Sequence, residues 1–115
     1  MSVIIFHNPG CSKSRQTLAL LEKYGVTPTI IEYLKTPPPA KKLKEILTQL
    51  GMVPRDLMRK KEAIYSECEL NNPDLSEDDL IGFMIKHPVL IERPIVLANA
   101  KAALGRPPEQ VLEIL

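Results

Sequence analysis

The sequence predicts an α/β fold with a small mixed four-stranded sheet, and three features of the chain indicate it. Near the N-terminus, two short apolar runs flank an amphipathic helical pattern, which is typical of a βαβ unit. From about residue 40 to residue 87 the pattern is helical, and two more apolar runs and a last helix follow it. A length of 115 residues suits one domain. We therefore expect a single domain over residues 1–115 with a helical insertion at about 40–87.

The βαβ unit takes up the first third of the chain. Residues 3–6 predict a buried strand, and residues 12–24 predict a helix that ends with Gly25 at its C′ position. Residues 29–34 predict the second strand. Strands joined through one helix run parallel with a right-handed crossover, so these two should be neighbours in the sheet.

The middle of the chain begins after the prolines at 37–39, which can continue neither a helix nor a strand ladder. Apolar residues at helical spacing predict a helix that ends at Gly51, followed by a short segment at 54–60. Ser76 precedes three acidic residues and predicts the N-cap of another helix. Residues 62–74 have weak periodicity, and we expect mostly loop with some helix there.

The last section contains the apolar runs 89–91 and 95–98, separated by Glu92, Arg93 and Pro94. Proline fits poorly inside one continuous central strand, so we expect two antiparallel strands joined by a turn that can hold a cis peptide. Residues 105–115 predict a final helix with proline in its first turn. The order βαβ, helical insertion, ββα is the thioredoxin-like arrangement.

Charge and composition exclude several classes of function. A net charge of +1 gives no electrostatic basis for coating nucleic acid. The sequence shows no signal peptide and no run of about 18 apolar residues, so we expect a cytoplasmic protein that does not enter a membrane. Cys11 and Cys68 form no metal-binding motif, and both should stay reduced in a cytosol. We therefore expect no metal site.

Cys11 is the residue most strongly marked for chemistry. It falls where the first strand turns into the first helix, so its sulfur should face unpaired amide N–H groups and the positive end of the helix dipole. Both favour thiolate, and Arg15 could add positive charge. His7 could tune Cys11 electrostatically, or it could simply form a hydrogen bond with the loop. A buried cysteine acting as a small hydrophobic residue is the alternative, which the polar residues around Cys11 disfavour.

Ser14 occupies the position that the second cysteine of a dithiol motif would have. A disulfide within this motif therefore cannot form, and a Cys11 nucleophile would need an outside thiol, such as glutathione or a small redox protein, to regenerate it. Cys68 lies between Glu67 and Glu69, whose charges disfavour thiolate. We interpret Cys68 as a bystander, with a resolving role as the alternative.

Three arginines stand outside the amphipathic patterns, at positions 59, 93 and 106. Arginine suits bidentate binding of oxyanions, although each of these residues could also be an ordinary solvated charge. Spacing alone does not bring them to Cys11. The thioredoxin-like fold would place Arg93 and Pro94 beside the cysteine turn, and it says less about Arg59 and Arg106.

The segment from His7 to Arg15 resembles the active-site loop of the ArsC family, the glutaredoxin-dependent arsenate reductases. The similarity continues in order along nearly the whole chain, through residues 33–38, 58–62, 87–96 and 105–107. Ser12 and Lys13 differ from the pair that follows the cysteine in better-known members, and the chain is shorter at its C-terminus. These features resemble a shorter branch of the family.

The resemblance implies an arsenate reductase that uses glutathione and glutaredoxin, with no tightly bound cofactor, and we expect it to act as a monomer. It implies catalysis by Cys11, a lowered cysteine pKa through His7, and supporting roles for Ser14, Arg15 and the cis-proline Pro94. The oxyanion ligands that it implies are Arg59, Arg93 and Arg106.

The sequence leaves two other functions open. Spx-type relatives share the fold but bind RNA polymerase and sense oxidation through a pair of cysteines, a chemistry that Ser14 argues against. A glutathione-dependent thiol reductase acting on another substrate would keep the Cys11 chemistry. Kinetics with arsenate and with glutathionylated peptides would distinguish this enzyme from an arsenate reductase.

Overall fold

The computed structural model describes residues 2–115 and divides the chain into two compact units. The first, which we call the sheet unit, contains the chain up to Thr36 together with Arg93–Leu115. The second, the helical unit, is Pro37–Glu92.

The sheet unit contains the four strands of a mixed sheet. They are β1 (Ile4–His7), β2 (Thr29–Glu32), β3 (Ile95–Ala98) and β4 (Lys101–Leu104), in the order β2-β1-β3-β4. β1 runs parallel to β2 and antiparallel to β3, while β4 runs antiparallel to β3. Helix α1 (Ser12–Lys23) connects the two parallel strands. The predicted α/β fold and the βαβ unit are confirmed.

The core of the sheet unit lies on the face of the sheet that α1 covers. Ile5 and Val96 are neighbours across β1 and β3, and both are fully buried. A 3₁₀ helix, Pro108–Ile114, packs against α1 and β4 and replaces the α-helix predicted at 105–115. Burial of these aliphatic side chains is the main force that holds α1, and with it the cysteine turn, against the sheet. The buried members of this core are Val3, Ile5, Leu21, Val96, Ala98, Val111 and Ile114.

The prediction of a strand at 89–91 was wrong. Residues Pro88–Leu90 form a 3₁₀ turn, and Ile91 makes only an isolated bridge with Met58. Pro88 lacks a backbone N–H and fixes φ, which suits the first position of a short helical turn better than a strand ladder. The antiparallel partner of β3 is instead β4, which follows it directly.

The strand β4 has no strong sequence signal. Its residues, Lys-Ala-Ala-Leu, have low β propensity, and pairing with β3 stabilises it. The two strands are joined by Asn99 and Ala100, which both have positive φ, at 53° and 60°. Two positive φ values at the centre of a hairpin are typical of the tight turns that match the strand twist.

The helical unit confirms the helices predicted for the middle of the chain. Helix α2 (Ala40–Leu50) buries Leu43, Ile46 and Leu47 and ends at Gly51, which is left-handed. Ser76 caps α4 (Glu77–Lys86): its hydroxyl accepts from the Asp79 N–H, and the Asp79 carboxylate accepts from the Ser76 N–H. A 3₁₀ helix (Pro54–Leu57) and α3 (Ala63–Glu67) complete the helices between α2 and α4. Within residues 2–115, no helix is long and apolar enough to cross a membrane.

Candidate active site

Cys11 occupies the N-cap position of α1, in a loop that is closed by its own hydrogen bonds. The Asn8 side-chain oxygen accepts from the Gly10 N–H at 2.9 Å, and the Asn8 carbonyl accepts from the Cys11 N–H at 3.0 Å. The Cys11 carbonyl then accepts from the Arg15 N–H and begins the helix. The loop between β1 and α1 therefore holds the thiol at the helix N-terminus, as the sequence predicted.

The Cys11 thiol is recessed, with 8% of the residue exposed, so it is more buried than its polar neighbours suggested. Burial on its own raises the pKa of the Cys11 thiol, but hydrogen bonding to the Ser14 backbone lowers it. Hydrogen bonding and charge from Arg93, together with the Lys13 backbone, lower it further. The net effect is a pKa below the ordinary thiol value, which favours the nucleophilic thiolate.

Ser14 joins the cysteine loop to His7 through a buried hydroxyl. Its Oγ accepts from the Asn8 N–H at 3.0 Å and lies 2.6 Å from His7 Nδ1. A neutral imidazole with its proton on Nε2 can accept the serine proton at Nδ1, which satisfies both groups. Ser14 is fully buried, and its backbone N–H in the first turn of α1 hydrogen-bonds to Cys11.

The pKa of His7 lies below its ordinary value. Burial is the largest cause; the negative charge of Glu32 opposes it, and the positive charge of Arg15 adds to it. A lowered pKa favours the neutral form of the ring. Its hydrogen bond in the site is to Ser14, and its effect on the pKa of Cys11 stays a prediction.

Arg93 reaches the thiol from the segment that enters β3. The Arg93–Pro94 peptide is cis, as expected at this position. The Arg93 carbonyl accepts from Arg106 Nε at 2.8 Å, and the Pro94 carbonyl accepts from the Gly105 N–H at 3.0 Å. Arg93, Pro94 and Arg106 thus lie together in the sheet unit, and Arg93 is the member of this group that hydrogen-bonds to Cys11. Gly105 also belongs to this group. Its residue type gave no signal of a functional role, although it lies in one of the segments that resemble the ArsC family.

Arg15 and Arg59 have other surroundings. Arg15 Nη1 donates to the Pro9 carbonyl at 2.8 Å and so braces the cysteine loop. Arg59 belongs to the helical unit, where its guanidinium pairs with Glu62 at 2.5 Å and lies 3.9 Å from Glu92. Its backbone N–H donates to the Leu90 carbonyl at 2.7 Å. The role of Arg59 toward a substrate stays a prediction.

Cys68 lies in a different environment, directly after the last residue of α3. It is partly exposed, and like Cys11 it is a free thiol. Across residues 2–115 there is no cluster of three or more His, Cys, Asp or Glu side chains that could hold a metal ion.

Comparison with known proteins gives consistent results. The model of the ArsC family matches residues 6–114. The chain is 51% identical to the arsenate reductase of Haemophilus influenzae (strain ATCC 51907 / DSM 11121 / KW20 / Rd), over 100% of both chains. It is 55% identical to the uncharacterized protein YfgD of Escherichia coli (strain K12), covering 98% of this chain and 96% of that one. The solved structure of an arsenate reductase from Vibrio cholerae superposes with a TM-score of 0.97 at 56% identity, covering 100% of this chain and 98% of that chain.

Proposed function

The chain belongs to the ArsC family, and from this premise we propose that it is an arsenate reductase that converts As(V) to As(III) through the Cys11 thiolate. The observation that carries the proposal is the environment of Cys11. A cysteine at a helix N-terminus, with its pKa lowered by backbone donors and by Arg93, combines a nucleophile with a site that attracts anions.

The substrate is a tetrahedral oxyanion. The N–H groups in the first turn of a helix have no partner within the helix and bind anions readily. Arg93 and Arg106 add planar donors that suit an oxyanion with two accessible oxygen atoms. The family resemblance assigns Arg59 to the same task, and kinetics of an Arg59 variant test that assignment.

Chemistry begins with attack of the Cys11 thiolate on arsenic. A sulfur–arsenic bond forms, and one arsenic–oxygen bond breaks, releasing hydroxide that is protonated to water. The arginines and helix amides offset the negative charge on the remaining oxygens. The product of this step is a covalent adduct that still contains As(V).

Reduction needs a second thiol. Because Ser14 replaces the second cysteine of a dithiol motif, the enzyme cannot supply that thiol from the same loop. Glutathione attacks the Cys11 sulfur, so a disulfide forms and the sulfur–arsenic electron pair stays on arsenic as As(III). Glutaredoxin then removes glutathione from Cys11 and restores the thiolate. The reducing cytoplasm, where both cysteines remain thiols, is the compartment that suits this cycle.

The test is NADPH oxidation coupled to arsenate reduction, with glutathione, glutaredoxin and glutathione reductase present. We expect turnover that requires arsenate, glutathione and glutaredoxin, and arsenite as the product. Each component is omitted in turn, and Cys68→Ser serves as the variant that keeps a free thiol only at position 11. Absence of arsenite formation by the folded wild-type protein would contradict the proposal. Turnover of glutathionylated peptides in that case would identify a thiol reductase instead.

A further inference from the structure

We propose that Gly105 and Arg106 are positioning residues that hold the Arg93 peptide so that its guanidinium stays beside the Cys11 sulfur. The family resemblance assigns Arg106 to the substrate, and a positioning role would operate before any substrate arrives. The inference deepens the proposed function, but its main readout is the thiol itself. It can therefore be tested whether or not arsenate is the substrate.

Two consecutive residues hold the backbone on either side of the Arg93–Pro94 peptide bond. The Gly105 N–H donates to the Pro94 carbonyl at 3.0 Å, and Arg106 Nε donates to the Arg93 carbonyl at 2.8 Å. Two fixed carbonyls in a row leave the Arg93 backbone little freedom to rotate. The side chain that leaves this backbone hydrogen-bonds to Cys11.

Gly105 also sits where no side chain fits. A Cβ on Gly105 would lie 2.6 Å from Pro94 Cγ and would come still closer to Thr17 Oγ1. Thr17 is fully buried in α1, and its hydroxyl donates to the Lys13 carbonyl at 2.8 Å. Pro94 is a buried ring with no flexible end. The Thr17 hydroxyl can rotate away only by losing its hydrogen bond to the Lys13 carbonyl, and the Pro94 ring can move aside only with its own segment.

A substitution at Gly105 should therefore raise the pKa of the Cys11 thiol without removing any charged group or hydrogen-bond donor from the site. The added methyl group of Gly105→Ala would push Pro94 away from α1, and the Arg93 backbone would move with it. Since Arg93 contributes both a hydrogen bond and a positive charge to Cys11, the thiolate would lose stabilisation.

The experiment measures the rate of Cys11 alkylation by iodoacetamide against pH, in a Cys68→Ser background and in buffer free of phosphate and arsenate. For Gly105→Ala we expect the profile to move to higher pH, with alkylation at neutral pH roughly threefold slower or more. Gly82→Ala is the matched control, because a Cβ on Gly82 meets nothing within 4 Å. Its profile should coincide with that of the parent protein. Circular dichroism and urea unfolding establish that each variant is folded.

Arg106→Lys provides a second variant, which keeps the charge but loses the guanidinium donor to the Arg93 carbonyl. Its control is Arg55→Lys, because Arg55 Nε also donates to a backbone carbonyl, that of Leu70, at 3.1 Å within the helical unit. We expect the profile to move for Arg106→Lys and to stay in place for Arg55→Lys. If Gly105→Ala does not fold, this pair still decides whether holding the Arg93 carbonyl in place keeps the guanidinium beside the thiol.

Three results would overturn the proposal in whole or in part. If Gly105→Ala folds and its alkylation profile is unchanged, Gly105 has no positioning role. If the alkylation profile of Arg106→Lys is unchanged, Arg106 has none. Equal shifts in the variants and their controls would mean general destabilisation and would overturn both roles. Shifted profiles in a protein that forms no arsenite would contradict the proposed function while supporting the positioning role.

Discussion

The two cysteines of this protein lie at opposite kinds of helix end, and the difference shows how position determines thiol chemistry. Cys11 directly precedes the first residue of α1, where backbone N–H groups point outward. Cys68 directly follows the last residue of α3, where carbonyl groups point outward and its own N–H donates to the Ile64 carbonyl.

Charge adds to the contrast. Arg93 approaches Cys11, whereas Glu67 and Glu69 flank Cys68 in the chain. A helix N-terminus and a guanidinium stabilise a thiolate, and a helix C-terminus and carboxylates do not. Cys11 is therefore the candidate nucleophile, and the surroundings of Cys68 agree with its interpretation as a bystander.

The largest expected effect comes from exchanging sulfur for oxygen at each position. Cys11→Ser should lower glutathione-dependent arsenate reduction by about three orders of magnitude or more, since the hydroxyl is not ionised near neutral pH. Cys68→Ser should keep nearly the wild-type rate. The coupled NADPH assay measures both, and comparable losses in the two variants would give Cys68 a resolving role.

Removing the cation beside Cys11 should have the next largest effect. Arg93→Gln should lower kcat/KM for arsenate by about 100-fold, because one preorganised donor to the developing charge is lost. It should also move Cys11 alkylation to higher pH. Lys23→Gln is the matched control, since it removes a positive charge from the other end of the same helix. If the Arg93 variant behaved like this control in both assays, Arg93 would have no role in stabilising the Cys11 thiolate.

Arg59 tests whether the helical unit contributes to substrate binding at all. Arg59→Ala should raise KM for arsenate by about tenfold, which corresponds to one lost charge-assisted hydrogen bond. The alkylation profile of Cys11 without oxyanion should stay the same. Lys60→Ala removes the exposed charge next to it in the chain and should leave KM unchanged. An unchanged KM in both variants would leave Arg59 with only its ion pairs to Glu62 and Glu92.

The smallest expected effect concerns stability. Ser14→Ala removes the hydroxyl that accepts from the Asn8 N–H and contacts His7 Nδ1, leaving one buried and one part-buried polar group without that partner. We expect the free energy of unfolding to fall by about 1–3 kcal/mol in urea titrations. Ser66→Ala in α3, an exposed position, should change it by less than about 0.5 kcal/mol. Equal changes would show that the buried serine network is not stabilising.

The sequence allowed the cysteine turn to be predicted because its determinants are local. An apolar strand, a loop rich in turn-forming residues and a helical pattern in succession are enough to place Cys11 at a helix N-terminus. Ser14 at the third position after it likewise excluded a disulfide within the loop, without reference to the rest of the chain.

Contacts between distant segments were not predictable in the same way. β4 exists because β3 pairs with it, and nothing in Lys-Ala-Ala-Leu indicates a strand. The neutral state favoured by His7 follows from burial, which overrides the positive charge that its residue type suggested. The need for glycine at 105 follows from its close packing against Thr17 and Pro94. These three residues belong to three separate segments of the chain.

The most direct test of the account compares the two thiols within one molecule. Wild-type protein is alkylated briefly with iodoacetamide across a range of pH, and peptide mass spectrometry quantifies modification at each cysteine. Cys68 is the more exposed residue, so steric access alone favours its modification. We predict that Cys11 reacts faster near neutral pH and keeps its advantage as the pH falls, because its thiolate persists below the ordinary thiol pKa. Equal rates, or faster modification of Cys68, would contradict the claim that Cys11 is the activated nucleophile.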